Sequence, residues 1–362
     1  MTWRLLLCAN VLIVAGLLVT GYSGLINPAH HPYLSLIGFS FPAFLLANAA
    51  FVVLWLLVKW KYTFVPILGM LIAYNPVHIY FPINMTDDAD FPPDGGIKVL
   101  SYNILGYNVK EAPEDEPNPI MQYLIDSDAD IICVQEYSAP GNIDSLHNVL
   151  REKYQYIDTI HSDGVNKGDD IVGVYSRYPI VSKEHIYMYT KGNSLGVFNL
   201  NIDGDTVHVI NAHLETVGMS FHQKEQFRDI VHGNTVRDSI RSDSKMVLDK
   251  LAASVSMRGP QADAINAYIR KHKGERIIFC GDINDHPLSY VHRTIAERLT
   301  DCYPVAGCGP GFTFHYYSMH VRIDNIMCSE HFVPTACIVD KSVNLSDHFP
   351  IYCYLKAKNG KE

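Results

Sequence analysis

The sequence predicts an α/β (α+β) chain in which an N-terminal, membrane-spanning helical region precedes one large soluble domain. Three observations carry this prediction. No Asp, Glu, Lys or Arg occurs in residues 5–58, nor in residues 62–86. Beyond residue 96, short β-branched runs alternate with helical stretches, the texture of packed sheets and helices. Finally, polar clusters sit at or just past the ends of the strand-like runs: Asn103, Glu136, Asn211 with His213, Asp282 with Asn284, and Asp324 with Ser346-Asp347-His348.

In residues 1–84, the apolar runs 5–21, 34–58 and 64–79 each approach the roughly 20 residues that cross a bilayer, so about three spans are expected. The third is interrupted by Pro66, Asn75 and Pro76, which also suits an interfacial segment. A cleavable signal peptide is the alternative for the first run, since Arg4 precedes it and small residues follow it, but two more apolar runs come after. Arg4 lies before the first run, Lys59 and Lys61 lie between the second and third, and residues 22–33 hold no cation. Cytoplasmic placement of those cations makes the chain an integral protein of an inner or plasma membrane, with everything after the third span extracytoplasmic.

Residues 85–96, rich in Asp, Pro and Gly, read as a linker and turn. Arg4, Lys59 and Lys61 cancel Asp87, Asp88 and Asp90, so the whole net charge of -9 falls after residue 93. An acidic domain lacks the basic footprint of tight, sequence-independent nucleic-acid binding, which lowers the odds of a nuclease without excluding one. The eight Cys show no zinc-ligand spacing. Cys133, Cys280 and Cys328 lie in apolar runs and read as small core residues. Cys302 and Cys308 flank a Gly/Pro-rich loop and could either pair in an oxidising compartment or stay reduced.

From residue 97 to about 358, strands are expected at 97–104, 131–135, 171–176, 197–202, 207–212, 276–280, 323–328 and 350–355. Helices are expected at 119–127, 143–153 and 260–272, the first with Asn118 as cap and Pro119 at the first helical position. Residues 220–257 read as a charged helical insertion, either a solvated excursion or a segment that covers a substrate cleft or touches the membrane surface.

Singly, each polar residue has a bland explanation. Asn103 could cap a turn, Glu136 could end an exposed strand, and His213 could be a satisfied core histidine. Their joint order changes the weighing. Asp282 and Asn284 emerge where the buried run 276–280 ends, and period-two geometry sends both to one side, where a carboxylate and an amide can orient water and bind a phosphoryl oxygen. Glu136 delivers a hard anionic ligand at a sheet edge, as Mg²⁺ prefers. His213 and His348 can donate to a phosphoryl oxygen or protonate a leaving alkoxide, and Asp324 can orient one of those imidazoles.

The ordered set Ser101-Tyr102-Asn103, Val134-Gln135-Glu136, the run Gly173 through Ile180, Asn211-Ala212-His213-Leu214, Gly281-Asp282-Ile283-Asn284, Arg322-Ile323-Asp324 and Ser346-Asp347-His348 resembles the endonuclease/exonuclease/phosphatase superfamily. The resemblance covers about residues 97–355. It implies a four-layer α/β/β/α sandwich, where periodicity alone gives only α/β or α+β. It also implies metal-assisted, in-line attack of water on a phosphoester, with Mg²⁺ as the ion and Mn²⁺ as its alternative. Carried over by residue, it makes Glu136 the main metal ligand, with Asn103 and Asp347 on the metal side. Asn103, Asn211 and Asn284 would bind substrate. Asp282 would orient or deprotonate the water, His348 would stabilise charge on phosphorus with Asp324 behind it, and His213 would be a candidate acid for the leaving group. Two positions depart from the pattern: Asn325, where many relatives carry His or Tyr, and Ala212 in place of Thr.

The expected partners are therefore a phosphoester substrate, phospholipid or nucleic acid, and a lipid bilayer, with no obligatory protein partner evident. An aromatic cluster of Phe312, Phe314, Tyr316 and Tyr317 either borders the cleft or packs inside the sandwich. A scaffold with a degenerate site is the contrasting reading, and it would bind no Mg²⁺ at Glu136.

Overall fold

The computed structural model describes residues 2–84, 96–108, 118–137, 144–162, 170–218, 237–316 and 319–358. Tyr317, nearly all of the expected linker and the first part of the expected insertion lie outside these residues. Two N-terminal stretches, Trp3–Gly21 and Pro32–Val58, are long and apolar enough to cross a membrane. They contain α1 (Thr2–Gly21), the short α2 (Pro32–Ser35) and α3 (Phe41–Val58). The third expected run is a broken pair, α4 (Phe64–Ile72) and α5 (Tyr74–Tyr80), within two helical stretches bent by 69°. Pro76 explains the break. It has no N–H to donate to Ile72 O four residues back, and the Tyr22 hydroxyl donates to that carbonyl instead at 2.8 Å.

The ends of these helices that carry residues 21–40 and 73–84 dock on the domain formed by the rest of the chain. Ser23 Oγ donates to Leu288 O at 3.3 Å, Tyr33 OH to Asp249 Oδ1 at 2.8 Å, and Asn84 Nδ2 to Gly307 O at 2.7 Å. The buried Arg322 guanidinium donates to Ile79 O and lies over the Tyr303 ring. Toward the other end, Lys59 Nζ sits 5.3 Å over the Trp3 ring.

That domain holds two six-stranded sheets. The first has the order β11-β12-β1-β2-β4-β3, formed by β1 (Gly96–Asn103), β2 (Ile131–Gln135), β3 (Tyr156–His161), β4 (Ile171–Ser176), β11 (Phe332–Val339) and β12 (Ile351–Ala357). The second has the order β5-β6-β7-β8-β10-β9, formed by β5 (Ile180–His185), β6 (Leu195–Ile202), β7 (Asp205–His213), β8 (Arg276–Asp282), β9 (Thr300–Asp301) and β10 (Asp324–Cys328). Each sheet is built around one parallel pair, β1 with β2 and β7 with β8, flanked by antiparallel strands. The residues of β2 are all buried, as a strand covered on both faces must be.

One apolar core fills the space between the sheets, with Val99, Cys133, Phe198, Val209, Cys280 and Cys353 among its members. A second joins α6 (Pro119–Asp126) and α7 (Asp144–Lys153) to the outer face of the first sheet. A third joins α8 (Arg237–Lys271) and α9 (Tyr290–Ile295) to the outer face of the second. Four α/β/β/α layers result. The expected helix at 260–272 and the described part of the expected insertion are one continuous helix, α8, which runs through Pro260. Cys302, in the short α10 (Cys302–Ala306), is buried with its Sγ 3.8 Å from Cys328 Sγ, while Cys308 is exposed, and neither is in a disulfide.

Candidate active site

The C-terminal ends of the two parallel pairs meet, and this brings together residues far apart in sequence. Asn103 ends β1 and Glu136 follows β2, while His213 ends β7 and faces Asp282, the last residue of β8, in the strand register. Asp324 opens β10 opposite Asp282. Close approach at this edge requires glycine: a Cβ on Gly281 would lie 2.3 Å from Ala212 O.

Asn103 Nδ2 stands between two carboxylates, donating to Glu136 Oε1 at 3.0 Å and to Asp282 Oδ2 at 3.2 Å. The same Asp282 oxygen lies 3.7 Å from His213 Nε2 and 3.7 Å from His348 Nε2. Each imidazole is backed by a carboxylate on its other nitrogen. His348 Nδ1 pairs with Asp324 Oδ2 at 2.8 Å, and His213 Nδ1 with Asp170 Oδ2 at 3.1 Å. The second contact is off-axis, an ion pair rather than an aligned hydrogen bond, and Asp170 has no other side-chain partner among the described residues. Two Asp–His pairs thus flank one aspartate.

Burial alone would depress both imidazoles. Asp170, with Asp282 and Glu136, outweighs it and lifts His213 to about 10, and Asp324 with Asp282 lifts His348 to about 10. Burial, with the negative charge of Asp324, pushes the Asp282 carboxyl up to about 6 against the pull of both imidazoles. Glu136 and Asn284 have positive φ, 54° and 53°, and such non-glycine residues are the strained positions that cluster at functional sites. Asn284 N–H closes a turn onto Asp282 Oδ1 at 2.8 Å, and its side-chain amide donates to Leu214 O at 3.0 Å.

Of the expected site residues, Asn103, Glu136, His213, Asp282, Asp324 and His348 form this cluster, and Asn284 borders it. Asp347 is half-buried beside Ser346, whose hydroxyl also donates to Asn103 O at 2.9 Å. Asn211 corrects the reading. Its amide donates to Val134 O and Gly173 O and accepts from Gln135, so both N–H groups stitch the sheets together behind the site, with none left for a substrate. Phe314 packs edge-on against His348 at 5.2 Å, and Tyr316 stacks at 6.3 Å from Phe314, so these two rings of the expected aromatic cluster border the site, while Phe312 packs against His320. Asp170 is the residue that sequence reading missed. Its one signal is its place directly before the buried strand β4.

A cleft of about 690 Å³ opens on Glu136 and His213 and is lined on its far wall by Lys250, Ala253 and Ser254 of α8, with Lys191 at its edge. A larger cavity of about 1090 Å³ lies between the N-terminal helices and the domain, but none of the cluster lines it. The amide wedged between the Glu136 and Asp282 carboxylates marks where a hard cation would compete, and those carboxylate oxygens are the ligands that hard divalent ions prefer, with the two imidazole nitrogens standing 3.7 Å from the Asp282 oxygen. Asp282, Asp324 and His348 also bring ligand atoms within 4.8 Å, but all three are buried and two are already paired.

Residues 100–348 match the family model described as "Endonuclease/Exonuclease/phosphatase family". The chain belongs to that family. Its members are hydrolases of phosphoester bonds and are typically dependent on divalent metal. Residues 3–80 match a separate domain of unknown function, DUF8431. Among solved structures, an endonuclease/exonuclease/phosphatase from Beutenbergia cavernae is 19% identical, with TM-score 0.51 over 72% of each chain. A family protein from Leptotrichia buccalis is 15% identical, with TM-score 0.50 over 72% of this chain and 99% of its own. A humanized D. rerio TDP2 is 15% identical, with TM-score 0.50 over 73% of this chain and 100% of its own. These likenesses establish a shared fold. No curated protein sequence matches the chain.

Proposed function

We propose that the protein is a membrane-anchored, Mg²⁺-dependent phosphoester hydrolase that acts outside the cytoplasm on phosphoesters of lipid headgroups. The observation that carries the chemistry is the pair of Asp-backed imidazoles converging on one Asp282 oxygen, next to Glu136 in an open cleft. Asp282 orients the attacking water and takes up its proton. His348, held by Asp324, donates to a phosphoryl oxygen, and His213, held by Asp170, protonates the leaving oxygen. Asn284 holds the phosphate through its remaining N–H. Glu136, with Asn103 and Asp347 close by, would hold Mg²⁺, which supplies charge neutralisation as negative charge develops on the phosphoryl group.

The lipid reading rests on α8. One side of this helix walls the cleft through Lys250, and the neighbouring Asp249 accepts a hydrogen bond from Tyr33 of the membrane region. The cleft is thereby held close to the bilayer surface. The extracytoplasmic side follows from Arg4, Lys59 and Lys61, which precede or separate the apolar runs, away from the end where the domain docks.

The test is hydrolysis by the detergent-solubilised full chain, with Mg²⁺ or EDTA, of vesicle phosphoinositides, sphingomyelin, DNA, RNA and an aryl phosphodiester. Asp282→Ala is the control. Mg²⁺-dependent headgroup release, lost in the variant, is expected. Preferential cleavage of nucleic acid would instead make the protein an extracytoplasmic endo- or exonuclease. Turnover that persists in Asp282→Ala or in EDTA would overturn the assignment.

A further inference from the structure

Roughly 17 Å along β7 from His213, at about 3.4 Å per residue, a second group of side chains converges on the second sheet. His208 of β7, His272 just past α8 and Glu275 in the turn before β8 bring one ligand atom each to within 4.8 Å of one another. His208 Nε2 lies 2.6 Å and His272 Nδ1 3.1 Å from the same oxygen, Glu275 Oε2.

The surroundings fix the His208 tautomer. Asn199 donates its two amide hydrogens to Ser182 Oγ and Glu184 Oε1, both at 2.9 Å, so its Oδ1 must be the atom facing His208 Nδ1 at 2.7 Å. Nδ1 therefore carries a hydrogen. In the neutral ring, Nε2 then aims a lone pair at a carboxylate oxygen, an arrangement that is repulsive without a cation, whether proton or metal. His272 adds a second unsettled nitrogen: its Nε2 is buried with no hydrogen-bond partner among the described residues. Tyr268 stacks on His272 at 4.3 Å and also reaches His208 Nδ1 and Glu184, holding both rings in place.

We propose that His208, His272 and Glu275 form a Zn²⁺ site remote from the catalytic centre. Two imidazoles and one carboxylate are a zinc ligand set, and the pair of nitrogens selects a transition ion over Mg²⁺. Asn199 is the outer partner that orients a metal-bound imidazole. Glu275 is half exposed and lies in a turn, so it can draw back to ligand distance and leave a fourth position to water. Zn²⁺ here ties the C-terminal end of α8 to the sheet, and α8 is the wall of the catalytic cleft. The site does not depend on the proposed hydrolase reading.

The test is Zn²⁺ titration of the full-length solubilised protein in saturating Mg²⁺, by calorimetry and thermal unfolding, with Co²⁺ absorption as a probe of tetrahedral ligation. Glu136→Gln separates binding at the catalytic centre from binding here. We expect one Zn²⁺ per chain that survives Glu136→Gln and weakens at least about 30-fold in His272→Ala and His208→Ala. Zn²⁺ in excess should raise Tm by several degrees in the parent and not in His272→Ala. Should His272→Ala fail to fold, Glu275→Gln in the half-exposed turn gives the same comparison. Equal Zn²⁺ stoichiometry, affinity and Tm shift in parent and variants would overturn the site and leave a protonated His–Glu pair.

Discussion

Replacing Gly38 with alanine should impair catalysis from within the N-terminal helical region. Gly38 lies in the tight turn at residues 36–40, just before α3. A Cβ built there would stand 2.2 Å from His286 Cε1, 2.4 Å from His286 Nε2 and 2.4 Å from Ser23 Oγ. Ordinary contact begins at 3.4 Å, so the shortfall is 3.4 − 2.2 = 1.2 Å. His286 has little room to yield. It is buried, Phe39 packs edge-on at 4.6 Å, its N–H is held by Asp285 Oδ1 at 2.9 Å, and its Nδ1 accepts from Leu288 N at 3.2 Å. The turn at 282–289 must move instead, and Asn284 and Asp282 move with it. Overpacking of this kind costs about 1–3 kcal/mol, and a catalytic group displaced by ~1 Å loses on the order of 10²-fold in rate. The assay is kcat on a soluble aryl phosphodiester in detergent, alongside Tm. We expect kcat to fall roughly 10- to 100-fold with KM little changed, and Gly38→Ala with His286→Ala to recover most of the loss, because the double variant removes the obstructing ring. Parent-like kcat in Gly38→Ala, or a double variant no better than the single one, would refute the coupling.

Burial depresses His286 to about 4 from 6.5, so the unfolded chain binds the extra proton first and stability is lost as pH falls from about 6.5 toward 4. The loss should total roughly 3 kcal/mol, read as a falling Tm over that window that His286→Gln flattens. Asp324→Asn should lower kcat about 10²- to 10⁴-fold. It should also move the alkaline limb of the pH–rate profile to lower pH, because Asp324 helps hold His348 protonated up to about 10. Gly281→Ala should lower Tm and activity together, since its Cβ meets the backbone oxygen of Ala212, which has no rotamer to change. EDTA should abolish turnover and Mg²⁺ restore it, and Glu136→Gln should raise the Mg²⁺ needed for half-maximal rate at least about tenfold.

The eight strands expected from the sequence are the eight interior strands. The four it did not reveal, β3, β5, β9 and β11, are the four sheet edges. The reason is physical: an interior strand is marked by continuous apolar character, while an edge strand such as β5, with Ser182, Lys183 and Glu184, carries the polarity that keeps edges from pairing. Pro334 in β11 is likewise tolerable only at an edge, where the register shifts between Pro334 and Ala336. At the site, residues that end interior strands were legible because the strand pattern points to them. Asp170 was not, since its role appears only when β4 and β7, which belong to different sheets, are packed against each other. Asn211 misled because the resemblance gives a residue type and a place but not its partners: it faces the opposing sheet, as His213 does, and its amide is consumed in bridging it. Cys302 beside Cys308 suggested a pair by proximity along the chain, whereas the fold buries one and exposes the other.

The same geometry makes the N-terminal helical region part of the scaffold of the site and not a leash. A leash would leave the turn at 282–289 supported by the domain alone. Here Ser23 binds Leu288 O, Gly38 and Phe39 pack on His286, and Leu288 shares an apolar cluster with Leu17, Phe41 and Ala73. Arg258, buried in α8, faces Asp285 of the same turn at 3.7 Å, and the next residue, Gly259, packs on Pro28. The segment that carries Asp282 and Asn284 is therefore clamped between α8 and the ends of α1, α3 and α4. Removing residues 1–84 would expose that apolar cluster and free the turn, costing the geometry of the site.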